Sequence, residues 1–267
     1  MPMCASGKHN TPVPRAAEPF GEELPSRGQP MLAPARGAIY FGVMQLEFQP
    51  LGDAALRVGL ADVADAAAHH RVRAFCGRLE GLAVPGLIEH VPAYTSVTIY
   101  YRPAEVGYQG LCERISAAME NLDEQAVPPA RVVTVPVCYG GPFGPDIEYV
   151  AQAAGLSVEQ VVELHSQVEY LVSMMGFAPG FPYLSGLPAR LATPRLATPR
   201  LMVKAGSVGI GGAQTGVYPI QTPGGWRIIG HTPLKLYDPT AASPFLLSPG
   251  DHVRFKPVRP EEHDRIV

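Results

Sequence analysis

The chain has 267 residues, of which 46% are apolar and 17% charged, with a net charge of −3. That length supports one large or two ordinary domains with a buried core. The charge balance gives no basic surface for nucleic acid or anionic lipid, and no apolar run reaches the roughly 18 residues of a membrane span.

Residues 1–43 are polar and Pro-rich ("NTPVPRAAEPFGEELPSRGQP"). Such a segment buries too little apolar area to offset its ordering entropy, so a disordered tail is expected. Pro and charged residues also interrupt the place of a signal-peptide core, which makes the cytoplasm the expected location. From residue 44 to 127 the pattern is that of a small α+β domain. "MQLEFQPL" and "ALRVGL" read as a hairpin around Gly52-Asp53, and "DVADAAAHHRVRAFCGRLEG" has helical spacing. "LIEHVPAYTSVTIYYRP" gives two strands split by Pro92. "GYQGLCERISAAMENL" is a second helix with Leu111, Ile115, Ala118, Met119 and Leu122 near one face. The order predicts two helices on one face of an antiparallel sheet.

A Pro pair in "AVPPARVVTVPV" marks the boundary to a second domain, residues 128–260. Two short helices, "GPDIEYVAQAAG" and "SVEQVVELHSQ", follow the Val-rich strand; Ser157 and Gln160 form a capping-box pair at the second. His165 ends that helix, where an imidazole suits the C-terminal dipole. After residue 170, Gly and Pro punctuate short β runs, the pattern of an all-β barrel. "LATPR" occurs at Leu191–Arg195 and again at Leu196–Arg200. Each Pro keeps its preceding Thr extended, so the segment is expected to run flat across the barrel with its arginines at a five-residue pitch.

Several chemistries are missing from the sequence. No P-loop, GxGxxG or HExxH motif is present, and "AGSVG" around Ser207 lacks the helix that a nucleophile elbow requires. The four cysteines (Cys4, Cys76, Cys112, Cys138) are widely spaced without a CxxC, so no thiolate metal site is expected. Three segments remain. "GFAPGFPYLSGLP" offers Phe177, Phe181 and Tyr183; the repeat offers Arg195 and Arg200; "GSVGIGGAQTGVYP" offers Ser207, Gln214, Thr215 and Tyr218. Together they suit a pocket for a small planar polar ligand, an amide or a carboxylate. The aromatic residues also suit core packing, the arginines ordinary surface charge, and Trp226 a barrel-core anchor.

The stretches "VPVCYGGPFGPDIEYVAQAAGLSVEQVVELHS", "MGFAPGFPYLSGLP", "RLATPR", "AGSVGIGGAQTGVYPIQTPGGWRIIGHTPLKLYDP" and "LLSPGDHVRF" resemble the family of 5-oxoprolinase B subunits. This family of carboxyltransferase-type C/D domains is also called allophanate hydrolase subunit 1 and includes an inhibitor of a sporulation histidine kinase. The resemblance runs from about Met44 to Pro257. It implies that the barrel is cyclophilin-like and that the chain is inactive alone. It also implies pairing with the C subunit and the A subunit of a bacterial ATP-dependent 5-oxoprolinase, which opens a lactam to glutamate. ATP is then a co-substrate of the complex, with no tightly bound cofactor. Arg195 or Arg200 would hold the substrate carboxylate or the transferring phosphoryl group, and Gln214, Thr215 and Tyr218 the lactam amide, while Phe177 and Phe181 exclude water. Members often read "RVPAGSV" where this chain has "MVKAGSV", and Arg where His231 stands. The other functions within the resemblance are kinase inhibition and a part in an allophanate or urea-pathway hydrolase.

Overall fold

A computed structural model describes residues 46–120, 122 and 130–266. The expected tail (1–43) and the Pro pair at 128–129 lie outside the described residues. The first part is a four-stranded antiparallel sheet built from β1 (Glu47–Pro50), β2 (Ala55–Gly59), β3 (Leu87–Pro92) and β4 (Ser96–Tyr101), in the order β1-β2-β4-β3. The turn between β1 and β2 contains Gly52 in the left-handed region, as the Gly-Asp pair predicts. Helices α1 (Ala66–Glu80) and α2 (Tyr108–Ala118) pack with the sheet into one core: Val72, Phe75 and Leu79 from the first, Leu111 and Ile115 from the second, against Leu56, Val58, Val97 and Ile99. Asp65 caps α1 by accepting the Ala68 N–H at 2.8 Å, which satisfies an amide left unpaired at the helix start.

The second part is a closed seven-stranded barrel. Its strands are β5 (Val132–Tyr139), β6 (Glu169–Met175), β7 (Pro182–Ser185), β9 (Ser207–Gly211), β10 (Gln214–Val217), β12 (Arg227–His231) and β13 (His252–Pro257). Only the β13–β5 pair is parallel. Between β5 and β6 come α3 (Ile147–Ala154), ended by Gly155 in the left-handed region, and α4 (Val158–Ser166), whose capping box forms between Ser157 and Gln160. The barrel is filled by Val135, Val137, Val172, Leu184, Ile210 and Phe255 among others. Closure removes the sheet edges that an open β structure would leave unpaired.

Outside the barrel wall lies a two-stranded ribbon of β8 (Arg200–Val203) and β11 (Thr222–Gly224). The repeat therefore does not run flat across the barrel as one segment. Its first copy bridges to the β9–β10 turn through Thr193 and Gly212, and its second ends in the ribbon. A short helix, α5 (Pro260–His263), adds to the elements that the sequence predicts; Pro260 opens it, where a missing N–H costs nothing.

Candidate active site

The stretch 176–188 forms a tight loop leading into β7. Gly176 N–H donates to Phe181 C=O at 3.1 Å, and Phe181 N–H donates to Ala178 C=O at 3.0 Å. The turn holds Phe177 at φ 68, a conformation that crowds a non-Gly Cβ and costs about 1–2 kcal/mol. Such strain persists only where the surroundings enforce it. It presents the Phe177 ring at the surface, 61% exposed.

Around this loop five rings meet edge to face. Phe181 is the hub, 5.0 Å from Tyr183, 5.2 Å from Tyr218, 5.4 Å from Trp226 and 5.5 Å from Phe177 between centroids. These separations are those of favourable aromatic pairs. The rings, with Arg195 and the Pro199 and Pro223–Gly225 backbone, line a cavity of about 280 Å³. Gly224 is required there, because a Cβ would overlap the Tyr218 hydroxyl. Burial pushes the Tyr218 phenol pKa up, and a hydrogen bond from the Trp226 backbone partly opposes that. The phenol therefore stays neutral at ordinary pH.

The Arg195 guanidinium stands over the Trp226 ring, 5.7 Å from its centroid. Among the described residues it has no carboxylate partner. Arg200 is placed differently. It pairs with the buried Asp146 at 2.8 Å, and Asp146 also accepts the Ile228 N–H at 2.7 Å. Arg200 thus ties the ribbon to the start of α3 and to β12 and does not line the cavity.

Of the predicted site residues, the structure brings Phe177, Phe181, Tyr183, Arg195 and Tyr218 together. Ser207, Gln214 and Thr215 are not among the lining residues. Ser207 is buried in β9. Gln214 opens β10 and its Nε2 donates to the Tyr94 hydroxyl. Thr215 is buried in a hydrogen-bonded chain through the barrel interior: its Oγ1 donates to Gly209 C=O at 3.0 Å and meets His165 Nε2 at 2.9 Å. Since that hydroxyl proton is committed to Gly209, Thr215 accepts from His165 Nε2–H. Nδ1 then accepts the Tyr139 hydroxyl at 2.8 Å. His165 is wholly buried, stacked 4.6 Å from Phe255, and burial lowers its pKa to about 3. It is a neutral core group, not a cation at a helix terminus.

Trp226, which the sequence suggests as a core anchor, is 5% exposed and also walls the cavity. The signal for that second role is the Gly224-Gly225 pair before it, which lets the pocket open against bare backbone. Among the lining side chains only Tyr183, Arg195 and Tyr218 are ionisable. The cavity can hold, orient and desolvate an anionic ligand, but it offers no carboxylate, imidazole or thiol as a general base. No group of three His, Cys, Asp or Glu among the described residues is placed to hold a metal, and no described helix is long and apolar enough to cross a membrane.

The family model for the carboxyltransferase domain, subdomain C and D, matches residues 46–247, which span both the sheet and the barrel. The fold is that of such a domain. The chain is 48% identical over 207 residues to the 5-oxoprolinase B subunit of Escherichia coli O157:H7, covering 78% of this chain and 94% of that one. It is 44% identical over 232 residues to the protein of the same name from Bacillus subtilis (strain 168), covering 83% and 95%. The crystal structure of TTHA0988 superposes with a TM-score of 0.68 at 36% identity over 77% of this chain; the match spans only 40% of that longer protein. The chain belongs to the family of 5-oxoprolinase B subunits.

Proposed function

We propose that this chain is the B subunit of an ATP-dependent 5-oxoprolinase and that the aromatic cavity binds 5-oxoproline. The observation that carries the site assignment is Arg195, a guanidinium placed over the Trp226 ring at the edge of an aromatic pocket with no carboxylate of its own among the described residues. A planar fork of donors with one apolar face covered suits a ligand carboxylate, and the ring walls suit the flat lactam. The family membership supplies the choice among small acids.

In this reading ATP transfers its γ-phosphoryl group to the lactam carbonyl oxygen, releasing ADP. Water adds to the activated carbon and the C–N bond opens to give γ-glutamyl phosphate; a second water then hydrolyses the acyl phosphate to glutamate and inorganic phosphate. This chain's part is positioning and exclusion of water, which phosphoryl transfer needs more than covalent help. Arg195 fixes the carboxylate; Phe177, Phe181, Tyr183, Tyr218 and Trp226 hold the ring and lower the local dielectric. The lack of a general base among the lining residues supports an active site completed by the C and A subunits. The apolar Leu201 (92% exposed) and Met202 on the ribbon beside Arg200 fit coverage by such a partner.

The test is glutamate release from 5-oxoproline and ATP by this chain mixed with the A and C subunits, repeated with each component omitted. Activity only in the complete mixture is expected. An assembled complex that releases no glutamate overturns the substrate assignment.

A further inference from the structure

One aromatic residue of the first sheet stands against the wall of the cavity. Tyr94 lies at the tip of the β3–β4 hairpin. That tip is fixed: Ala93 N–H donates to Ser96 C=O at 2.8 Å, and Thr95 C=O accepts Leu60 N–H at 2.8 Å and Ala61 N–H at 3.3 Å. From this platform the Tyr94 ring meets Tyr183 edge-on, 6.4 Å between centroids at 70°, and its hydroxyl accepts Gln214 Nε2. Tyr183 in turn packs on Phe181 at 5.0 Å and on Trp226 at 6.0 Å.

We propose that Tyr94 is a positioning residue of the cavity, holding the Tyr183 ring and the Gln214 side chain so that the wall facing the ligand is already in place before binding. The physical reason is entropic. Tyr183 is only partly buried, with Phe181 and Trp226 packed against it in a cluster separate from the barrel core; Tyr94 supplies a further support. A wall ordered in advance does not have to be ordered by the ligand, and that difference enters binding. Tyr94 lines no part of the cavity itself, so its removal acts on substrate affinity rather than on the chemical step. Gln214 then has a role that its position outside the cavity lining otherwise leaves unexplained: it ties the barrel's β9–β10 turn to the hairpin tip. The inference rests on the cavity being the small-acid site proposed above.

Two measurements test it. Trp226 is the only tryptophan in the sequence and walls the cavity, so its fluorescence reports the state of that wall. Iodide is the probe. Tyr94→Leu, which removes both ring and hydroxyl, is expected to raise the iodide quenching constant of Trp226. Tyr94→Phe and Gln214→Leu should give smaller increases, and their combination no more than the larger of the two. In the assembled enzyme, Tyr94→Phe should raise KM for 5-oxoproline about fivefold, the size of one lost neutral hydrogen bond, with kcat kept. Quenching by iodide in Tyr94→Leu equal to that of the wild type overturns the proposal, as does a Tyr94→Phe enzyme whose kcat falls while KM stays. If the wild-type complex turns over no 5-oxoproline, the substrate assignment fails and the iodide series still decides the role of Tyr94.

Discussion

The two copies of LATPR place chemically identical arginines five residues apart, and the fold gives them different neighbours. Arg200 meets Asp146, a carboxylate with only 10% of its side chain exposed, and joins three elements. Arg195 meets an indole face and, among the described residues, no carboxylate. A paired ion inside the structure maintains shape. Arg195, over an indole and without a carboxylate partner among the described residues, has donors open, which fits the ligand role proposed for it. Identical local sequence therefore carries no information about role; what differs is the tertiary neighbour.

Substitutions at the two arginines separate these tasks. The largest effect is expected from Arg200→Ala, which leaves the Asp146 carboxylate without its cation. Loss of one partner of a partly buried pair should destabilise the chain by about 3 kcal/mol, seen as a melting midpoint lowered by roughly 6–12 °C. Arg195→Gln should leave the midpoint unchanged and weaken 5-oxoproline binding by about 30-fold, the worth of a charge-assisted hydrogen-bonded contact near 2 kcal/mol. If the two variants exchange these phenotypes, the assignment of roles is wrong.

Acidification probes the hydrogen-bonded chain around His165. An unfolded imidazole takes up a proton below about pH 6.5, whereas His165 in the fold resists protonation down to about 3. Between those values the unfolded state binds more protons, so stability falls as pH falls, by at most about 1.4 kcal/mol per pH unit. Above about pH 6.5 this contribution is constant. Urea denaturation at neutral pH and at two successively more acidic values inside that window should show the slope, and His165→Gln should flatten it. The smallest effect is expected at the strained loop. Asn tolerates the left-handed region, so Phe177→Asn should leave stability unchanged or raise it by up to about 1 kcal/mol, while binding of the small acid weakens. A clear loss of stability would mean that the exposed ring packs more than its strain suggests.

Much of the architecture is legible in the chain because periodicity reports it directly. The hairpin at Gly52-Asp53, the amphipathic α2 and the capping box of α4 each follow from residues a few positions apart. The aromatic loop is legible as well, since charge-free Gly, Pro and Phe suit neither a helix nor a solvated turn. The unreadable part depends on distance. Asp146 lies 54 positions from Arg200; His165 finds Tyr139 and Thr215 at 26 and 50 positions; Tyr94 reaches Gln214 across 120. Thr215 is a reasonable ligand candidate beside Gln214, but strand alternation turns its hydroxyl inward to the histidine. The size and apolarity of Trp226 predict its burial, and burial alone says nothing about the face left toward a cavity.

The different tasks of the two arginines come under the most direct test when the purified chain is titrated with 5-oxoproline and followed by Trp226 fluorescence, in the wild type, Arg195→Gln and Arg200→Lys. Arg200→Lys retains a cation for Asp146 and so keeps the fold for the comparison. A saturable change is expected in the wild type and in Arg200→Lys, and its loss in Arg195→Gln. A response that survives Arg195→Gln and disappears with Arg200→Lys would reverse the two roles and refute Arg195 as the ligand's partner.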